Sequence, residues 1–271
     1  MTGKLSVFTE KYNGGKDAAR VLLEKAGLAG LLRDALRRDN IKNVLIKPNL
    51  VNSTPPPVTT PAWIVREIVS FVRNILPECA VIIAEGAGDI NMETDELFTL
   101  HGYRRAMSDV IFMDLNHEPC RRIKLARGLR WKELFLPEIL FESFVISAPV
   151  LKAHTLAGVT LSMKNMIGVS PPEHYQEGGA WKKSAFHLRI HESIFDLNCA
   201  RAPDFTLLDA TVGMATSHLG GPECVPPVNT LVAGADPVAV DAFGAGLLGN
   251  DWRHIGHIRM ADGVLGHADR A

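Results

Sequence analysis

Short apolar segments recur along this chain and alternate with longer amphipathic ones. The apolar segments are 43–46, 80–84, 110–113, 144–150, 205–208 and 230–232. They have the length and composition of strands buried inside a sheet. Amphipathic helices are predicted between them, for instance over 16–38 and over 61–75, where Thr60 and Pro61 form a favourable helix start. Strands that alternate with helices predict an α/β fold with a mostly parallel sheet flanked by helices.

The apolar segment 144–150 leads directly into charged residues. Pro149 interrupts backbone hydrogen bonding near its end, so we expect Lys152 and His154 to lie in a loop at the carboxyl end of a central strand. Lys164 follows about a dozen residues later. Buried ammonium groups are costly unless they are paired, so packing explains these cations poorly. In open α/β sheets this edge is where ligands bind.

Other predicted strands also end in polar residues. These residues include Lys47, Asn49, Glu85 and Asp209. Because the carboxyl ends of parallel strands lie along one edge of the sheet, we expect these side chains, together with Lys164 and Asn165, to meet in a single cleft. Ammonium and amide groups in such a cleft indicate a site for phosphate or carboxylate. The alternative is that Lys152 and Lys164 are surface residues whose stems pack flat against the protein.

Residues 121–136 depart from the alternation of strands and helices. Their polar sequence predicts a β-hairpin that turns at Arg127 and Gly128 and lies outside the main sheet. The whole chain, 1–271, is then interpreted as a single α/β domain. Two lobes, about 1–115 and 137–271, are the alternative division.

His187 and His191 lie four residues apart in a segment predicted to be helical, so both rings would lie on one helix face. Three interpretations remain open for them. They pack beside the apolar stripe of the helix, they line the anion cleft as neutral donors, or they bind a divalent metal ion with a carboxylate from elsewhere. We assign them to ligand binding and assign no metal ligands, since the pair lacks the glutamate of H-E-x-x-H.

Composition and charge limit the kinds of partner that we expect this protein to bind. The net charge is −1, so neither nucleic acid nor an anionic surface is indicated as a partner. No apolar segment is long enough to cross a membrane, and the first residues do not resemble a signal peptide, so we expect a cytoplasmic protein. The four cysteines are scattered singly and form no zinc or iron–sulfur motif. The sequence indicates no oligomeric state.

Several segments resemble the uncharacterised family known as domain of unknown function 362. They are IKPNLV at 46–51 with the following 59–61, AEGAG at 84–88, SAPVLKAHTLAGVTLSMKNMIGV at 147–169 and DPVAVDAFGAGLLG at 236–249. The resemblance implies an α/β fold. It also implies, for some relatives, an attached iron–sulfur ferredoxin module, whose cysteine motif this sequence lacks. The family implies no particular reaction.

Two functions are compatible with these residues. The first is an enzyme that acts on a small anionic metabolite, a carboxylate or a phosphate, by acid–base chemistry. Its candidate catalytic residues are Lys152, His154, Glu85 and Asp209, and its candidate ligand-binding residues are Lys47, Asn49, Lys164, Asn165, His187 and His191. The alternative is a metal-binding or redox-accessory protein related to iron–sulfur proteins. The cofactor is unknown, and a divalent metal remains open.

Overall fold

The computed structural model describes residues 7–15, 17–38 and 41–271. The strands in these ranges are β1 (Phe8–Lys11), β2 (Asn43–Pro48), β3 (Ala80–Glu85), β4 (Ile111–Asp114), β5 (Cys120–Lys124), β6 (Glu133–Pro137), β7 (Ser143–Ala148), β8 (Val150–His154), β9 (Gly158–Thr160), β10 (Phe205–Met214) and β11 (Thr230–Gly234). The α-helices are α1 (Ala18–Lys25), α2 (Leu28–Arg38), α3 (Ala62–Ile75), α4 (Thr94–Leu100), α5 (Tyr103–Ala106), α6 (Ser162–Asn165), α7 (Pro172–Tyr175), α8 (Ile190–Arg201), α9 (Pro237–Leu247) and α10 (Gly256–Ala261). Short 3₁₀ turns occupy Glu138–Phe141, Met166–Val169, Ser184–His187, Trp252–His254 and Ala268–Arg270.

The strands form one large sheet in the order β1–β11–β10–β7–β2–β3–β4. The five strands from β10 to β4 are parallel to their neighbours, whereas β11 and β1 are antiparallel additions. A separate antiparallel pair, β5 and β6, is the hairpin predicted over 121–136. The predicted α/β fold with a mostly parallel sheet is therefore confirmed. Strands from 1–115 and from 137–271 lie side by side in this one sheet.

Helices cover both faces of the large sheet. Along β2, Val44 and Ile46 pack against the side of α1, α2 and α3, while Leu45 packs on the opposite side with residues of the β5–β6 hairpin. Farther along the sheet, side chains of α8, α9 and α10 pack on Leu208 and Val232. Because successive side chains of a strand point to opposite faces, this arrangement explains the continuous apolar strand segments. Among the described helices, none combines the length and apolar character that a membrane crossing needs.

The chain around Pro149 differs from the prediction. The central strand stops at Ala148 and a second strand, β8, starts at Val150. Lys152 and His154 therefore lie in a strand and not in a loop. The physical reason is that β10 is ten residues long and provides a second edge beyond β7, on which β8 pairs in parallel. Lys152 and His154, two residues apart, point to the same face of β8.

Two predicted helices are interrupted. The segment 16–38 forms α1 and α2, because Gly27 has a φ of +74° that an α-helix cannot contain; Lys16 itself lies outside the described residues. The segment around His187 and His191 is also broken, since Arg189 has a φ of +52° and precedes the first turn of α8. His187 lies in the preceding 3₁₀ turn, so the prediction that the two rings share one helix face is wrong.

Thr60 does not cap α3 as predicted. Its hydroxyl donates a hydrogen bond to the Ala148 carbonyl at 2.6 Å and accepts one from the Asn49 amide at 2.9 Å. Thr60, two residues before α3, therefore joins the end of β2 to the end of β7. The polar residues of the candidate site lie next to this junction.

Candidate anion-binding site

A cavity of about 340 Å³ lies at the carboxyl ends of β2 and β3, beside β8 and α6. Its charged lining residues are Lys47, Lys152, Lys164, Lys183 and Glu85, and its imidazoles are His154, His187 and His218. Among the residues that the structure describes, Glu85 is the single carboxylate in this lining. Asn49 and Asn165, predicted as ligand-binding residues, line it as well. The structure thus brings most of the sequence-predicted residues together, with four ammonium groups against one negative charge.

Lys47 and Glu85 form a buried ion pair on neighbouring strands. Lys47 Nζ lies 2.6 Å from Glu85 Oε1 and also donates to the Pro48 carbonyl at 3.1 Å. The Glu85 carboxylate accepts two further hydrogen bonds, from the amides of Leu50 and Gly86, both at 2.9 Å. Burial lowers the pKa of Lys47, and Glu85 partly offsets that shift. Because its oxygens are engaged in this way, Glu85 is placed to hold Lys47 and the two strand ends rather than to exchange protons with a ligand.

Asn165 and Asn49 connect Lys47 to Lys152. Asn165 Nδ2 donates to the Lys47 carbonyl at 3.2 Å and to Ser147 Oγ at 3.0 Å. Its Oδ1 accepts from Asn49 Nδ2 at 3.0 Å, and Asn49 Oδ1 in turn accepts from Lys152 Nζ at 2.7 Å. The amide orientations in this chain of bonds are set by their charged neighbours. The network fixes the two lysines relative to each other across β2 and β8.

Lys152 is buried, with 1% of its surface exposed. Besides Asn49, its ammonium donates to the Val58 carbonyl at 2.7 Å. Val58 belongs to the proline-rich segment after β2, so this segment provides an acceptor for the lysine. Burial, and then the nearby charge of Lys164, lower the pKa of Lys152 to about 7. The residue is therefore near the midpoint of its titration at neutral pH.

Lys183 was not predicted from the sequence. It lies just before the 3₁₀ turn Ser184–His187 and is 4% exposed. Its ammonium donates to Asn116 Oδ1 and to the Ser170 carbonyl, the latter at 2.6 Å. Burial lowers its pKa to about 7, and Glu85 opposes that shift. Two adjacent lysines in a polar loop look like surface residues in the sequence, so no pattern distinguishes Lys183.

Lys164 differs from the other three cavity lysines. Its Nζ makes no hydrogen bond or ion pair with any residue that the structure describes. Burial lowers its pKa to about 8. The residue sits on the short helix α6, whose first amides, those of Ser162 and Met163, donate to the carboxylate of Asp241 at 2.7 and 3.0 Å. Asp241 of α9 thus holds the turn that carries Lys164.

His154 is held as a neutral hydrogen-bond donor. Its Nδ1 lies 3.1 Å from the backbone amides of Leu156 and Ala157, which can only donate, so Nδ1 is the acceptor and Nε2 carries the proton. Burial, and then the charge of Lys164, lower its pKa to about 2. The ring stacks on His218 with centroids 4.0 Å apart, and burial lowers the pKa of His218 to about 4. The geometry therefore favours a donor role for His154 over the predicted acid–base role.

The residues that build this cavity fall within a segment that a known family model recognises. The model described as "Domain of unknown function (DUF362)" matches residues 44–246. The chain belongs to the DUF362 family. The resemblance noted in the sequence is confirmed, and the matched segment contains all four cavity lysines and Asp241. No curated protein matches the chain.

Two predicted site residues of this DUF362 chain lie elsewhere. Asp209 lies within β10 and does not line the cavity, and its carboxylate accepts from the Thr211 amide at 2.9 Å. β10 continues to Met214, so Asp209 is not the strand end that the sequence predicts. His191 stacks instead on His257 of α10, with Nδ1 atoms 3.1 Å apart. His187 alone of the histidine pair lines the cavity.

Groups that could ligate a metal ion occur outside the cavity of the DUF362 chain. In the part of the chain that the structure describes, they are Glu93, Asp114 and His117, and Asp262, His267 and Asp269. Both groups are exposed or half-buried, and Glu93 is also paired with Lys182 at 2.9 Å. Inside the cavity, a metal ion beside His154 would lie among several ammonium groups. The charge distribution there suits an anion and opposes a cation.

Asp241 is the second residue that the sequence analysis missed. In DPVAVDAFGAGLLG the capping pair Asp236–Pro237 is recognisable, and Asp236 does accept from the amides of Val238 and Ala239. Asp241 falls one turn later on the buried side of the same helix. The sequence signal that could have identified Asp241 is a carboxylate on the buried side of a helix. Such a group requires hydrogen-bond partners from another element.

Proposed function

We propose that this DUF362 chain is an enzyme that binds a small anionic metabolite, a carboxylate or a phosphate, and moves a proton on it. The observation that carries the proposal is the convergence of four lysine ammonium groups on one cavity with a single carboxylate. Such an excess of positive charge in a buried site is costly to fold, and an anionic ligand offsets that cost. The proposed site is at the sheet edge where α/β enzymes bind ligands.

The donors still available in the cavity support anion binding. Lys152 and Lys183 each use two of their three N–H groups on protein oxygens, so each retains one for a ligand. Lys164 retains all three, and His154 offers Nε2–H. Charge-assisted hydrogen bonds from several lysines to one anion are short and strong.

Proton transfer is assigned to a lysine because the other candidates are occupied. Glu85 is engaged by Lys47 and two amides, and the lone pair of His154 is engaged by two more. Lys152 has a pKa of about 7, so it both accepts and donates protons at neutral pH. We therefore propose Lys152 as the acid–base group and Lys47 as the fixed charge that supports it.

The alternative, a metal-binding or redox-accessory protein, has less support. The four cysteines are free thiols, and a cation in the cavity would be repelled by the lysines. Free thiols support the cytoplasm as the proposed compartment. The near-zero net charge supports a small molecule over nucleic acid as the proposed partner.

Replacing Lys152 or Lys164 with glutamine should weaken anion binding about ten- to a hundredfold, because each change removes a charged donor. The melting temperature should stay within a few degrees for Lys152→Gln, which loses two hydrogen bonds together with a charge disfavoured by burial. It should stay constant or rise for Lys164→Gln, which loses the charge alone. Calorimetric titration with sulfate and malonate measures binding, and scanning fluorimetry measures stability. Lys42→Gln, which removes a surface lysine paired with Glu142, is the matched control. Equal sulfate affinity in the cavity variants and the control would refute the site.

Anion binding should also weaken as the pH rises from about 6 to about 9. Lys152 and Lys164, with pKa values of about 7 and about 8, lose their charge in this range. Above its pKa, the charged fraction of each lysine falls about tenfold per pH unit. Sulfate keeps a constant charge over the range and is the suitable titrant.

The stability of the unliganded protein should rise over the same pH range in which anion affinity falls. The unfolded chain retains its lysine protons to a pKa of about 10.4, whereas the folded cavity releases them from about pH 7 upwards. Because the unfolded state then binds more protons, stability rises with pH in this window. Urea unfolding at several pH values checks the trend. If neither the sulfate affinity nor the free energy of unfolding changed with pH, the lowered pKa values of these lysines would be contradicted.

A further inference from the structure

Lys164 stands apart from the lysines around it. Lys47, Lys152 and Lys183 each donate to at least two oxygen atoms of the protein, which holds their ammonium groups in place. Lys164 lines the same cavity with no such acceptor among the described residues. A lysine that serves as a fixed charge is stabilised by acceptors, whereas a lysine that must become an uncharged amine is not. The contacts therefore separate Lys164 from the three lysines whose ammonium groups the protein itself holds in place.

The surroundings of Lys164 favour the uncharged amine. Apolar side chains of the same cavity, including Ile167, Phe186 and Ile190, line its wall. The charge of Lys164 lowers the pKa of both Lys152 and His154, so these two neighbours gain when Lys164 is uncharged. Burial is the cause that lowers the pKa of Lys164 itself, and an uncharged lysine amine is nucleophilic near neutral pH.

The backbone that carries Lys164 is firmly held. Asp241 accepts the first amides of α6, and the adjacent Asn165 is bound to the Lys47 carbonyl and to Ser147. The lysine Cα is therefore fixed while its Nζ stays free within the cavity. A free reactive group on a rigid support is the arrangement that covalent catalysis requires.

We propose that Lys164 is a nucleophile that forms an imine with the carbonyl group of a small oxo acid. The inference rests on the proposed function and specifies its substrate class: a carbonyl compound that also carries a carboxylate. The remaining N–H group of Lys183 binds the carboxylate, His154 Nε2–H donates to the carbonyl oxygen, and Lys152 is left to supply a proton. The substrate must be small because the cavity has a volume of about 340 Å³.

The step balances without any other reactant. The lone pair of Lys164 Nζ adds to the carbonyl carbon, and one proton moves from this nitrogen to the carbonyl oxygen to give a neutral carbinolamine. Lys152 supplies a second proton, the C–O bond breaks, and the oxygen leaves as water. The product is a protonated imine, C=N⁺–H, in place of C=O. This cation withdraws electrons from the adjacent carbon and so makes a neighbouring C–H or C–C bond easier to break.

Reductive trapping tests the inference. The wild-type protein is incubated with glyoxylate or pyruvate and sodium cyanoborohydride, and intact mass and peptide mapping locate the adducts. We expect one adduct per chain, on Lys164, formed at least about tenfold faster than on surface lysines, because more of this amine is deprotonated at pH 8. The rate should rise with pH and level off above about pH 8. Excess sulfate should slow it.

Lys164→Arg distinguishes this inference from anion binding alone. Arginine keeps the charge and forms no imine under these conditions, so the variant should lose the trapped adduct while it binds sulfate more tightly than Lys164→Gln does. Lys42→Arg is the control and should behave as wild type. If wild type binds sulfate but glyoxylate labels Lys164 no faster than Lys42, the imine is excluded and the anion site stands. If sulfate does not bind at all, the proposed function fails as well.

Discussion

Replacing Gly168 with alanine should lower the free energy of unfolding by about 3–5 kcal/mol, the range found when a buried ion pair is broken. A Cβ at this position would overlap Glu85 Oε1 and lie only 2.5 Å from Lys47 Nζ. Both partners are held by strands and by further hydrogen bonds, so neither can move away cheaply. Anion binding should be lost together with stability, because Lys47 and the Asn165 network share the same corner of the cavity.

Urea unfolding and sulfate titration measure the two effects. Gly246→Ala is the matched control, since a Cβ at Gly246 meets nothing within 4 Å and the residue lies in α9. Alanine there should leave stability unchanged or raise it by up to about 1 kcal/mol. If Gly168→Ala were as stable as the control, the close approach of Gly168 to the ion pair would be wrong.

Replacing Asp241 with alanine should cost about 2–4 kcal/mol of stability, because two buried amides, those of Ser162 and Met163, lose their acceptors. Lys164 should lose its position at the same time, so sulfate affinity and the trapped adduct should both decrease. Asp241→Asn keeps one acceptor oxygen and should give an intermediate loss of stability. Comparison of Asp241→Asn with Asp241→Ala separates the effect of lost hydrogen bonds on stability from the effect of lost side-chain volume.

Asp34→Ala is the control for this series. Asp34 is exposed on α2, and such a change should stay within about 0.5 kcal/mol of wild type. Urea unfolding of the three variants, followed by trapping with glyoxylate, provides the comparison. A stable Asp241→Ala protein that still forms the Lys164 adduct at the wild-type rate would show that α6 needs no support from α9.

The sequence predicted the sheet because its signal is local. Apolar segments such as 43–46 and 80–84 have to be buried on both faces, and their alternation with helices leaves few possible topologies. The sequence also predicted that Lys47, Lys152 and Lys164 meet, because parallel strands end at one edge. The elements that carry Lys152 and Lys164, β8 and α6, and the contacts of these lysines were not predicted.

The residues that were missed or misplaced depend on contacts between distant segments. Lys183 reaches the cavity from a loop without periodicity, and its partner Asn116 lies 67 residues away in the chain. Asp209 was expected at a strand end because nothing in the sequence shows that β10 continues beyond it and pairs with β8. His191 was grouped with His187 by spacing alone, and no propensity predicts the positive φ of Arg189 between them.

The lysines of this cavity are held at the sheet edge before any ligand arrives. The folded chain therefore keeps these amines away from water at the expense of its own stability, as the pKa values that burial lowers at Lys152, Lys164 and Lys183 indicate. An anion bound there as proposed would stabilise the charged lysines, and the free energy released would appear both as affinity and as resistance to unfolding. We therefore expect the concentration of the proposed ligand to set the stability of the folded protein, so that occupancy of the site would affect its lifetime in a cell.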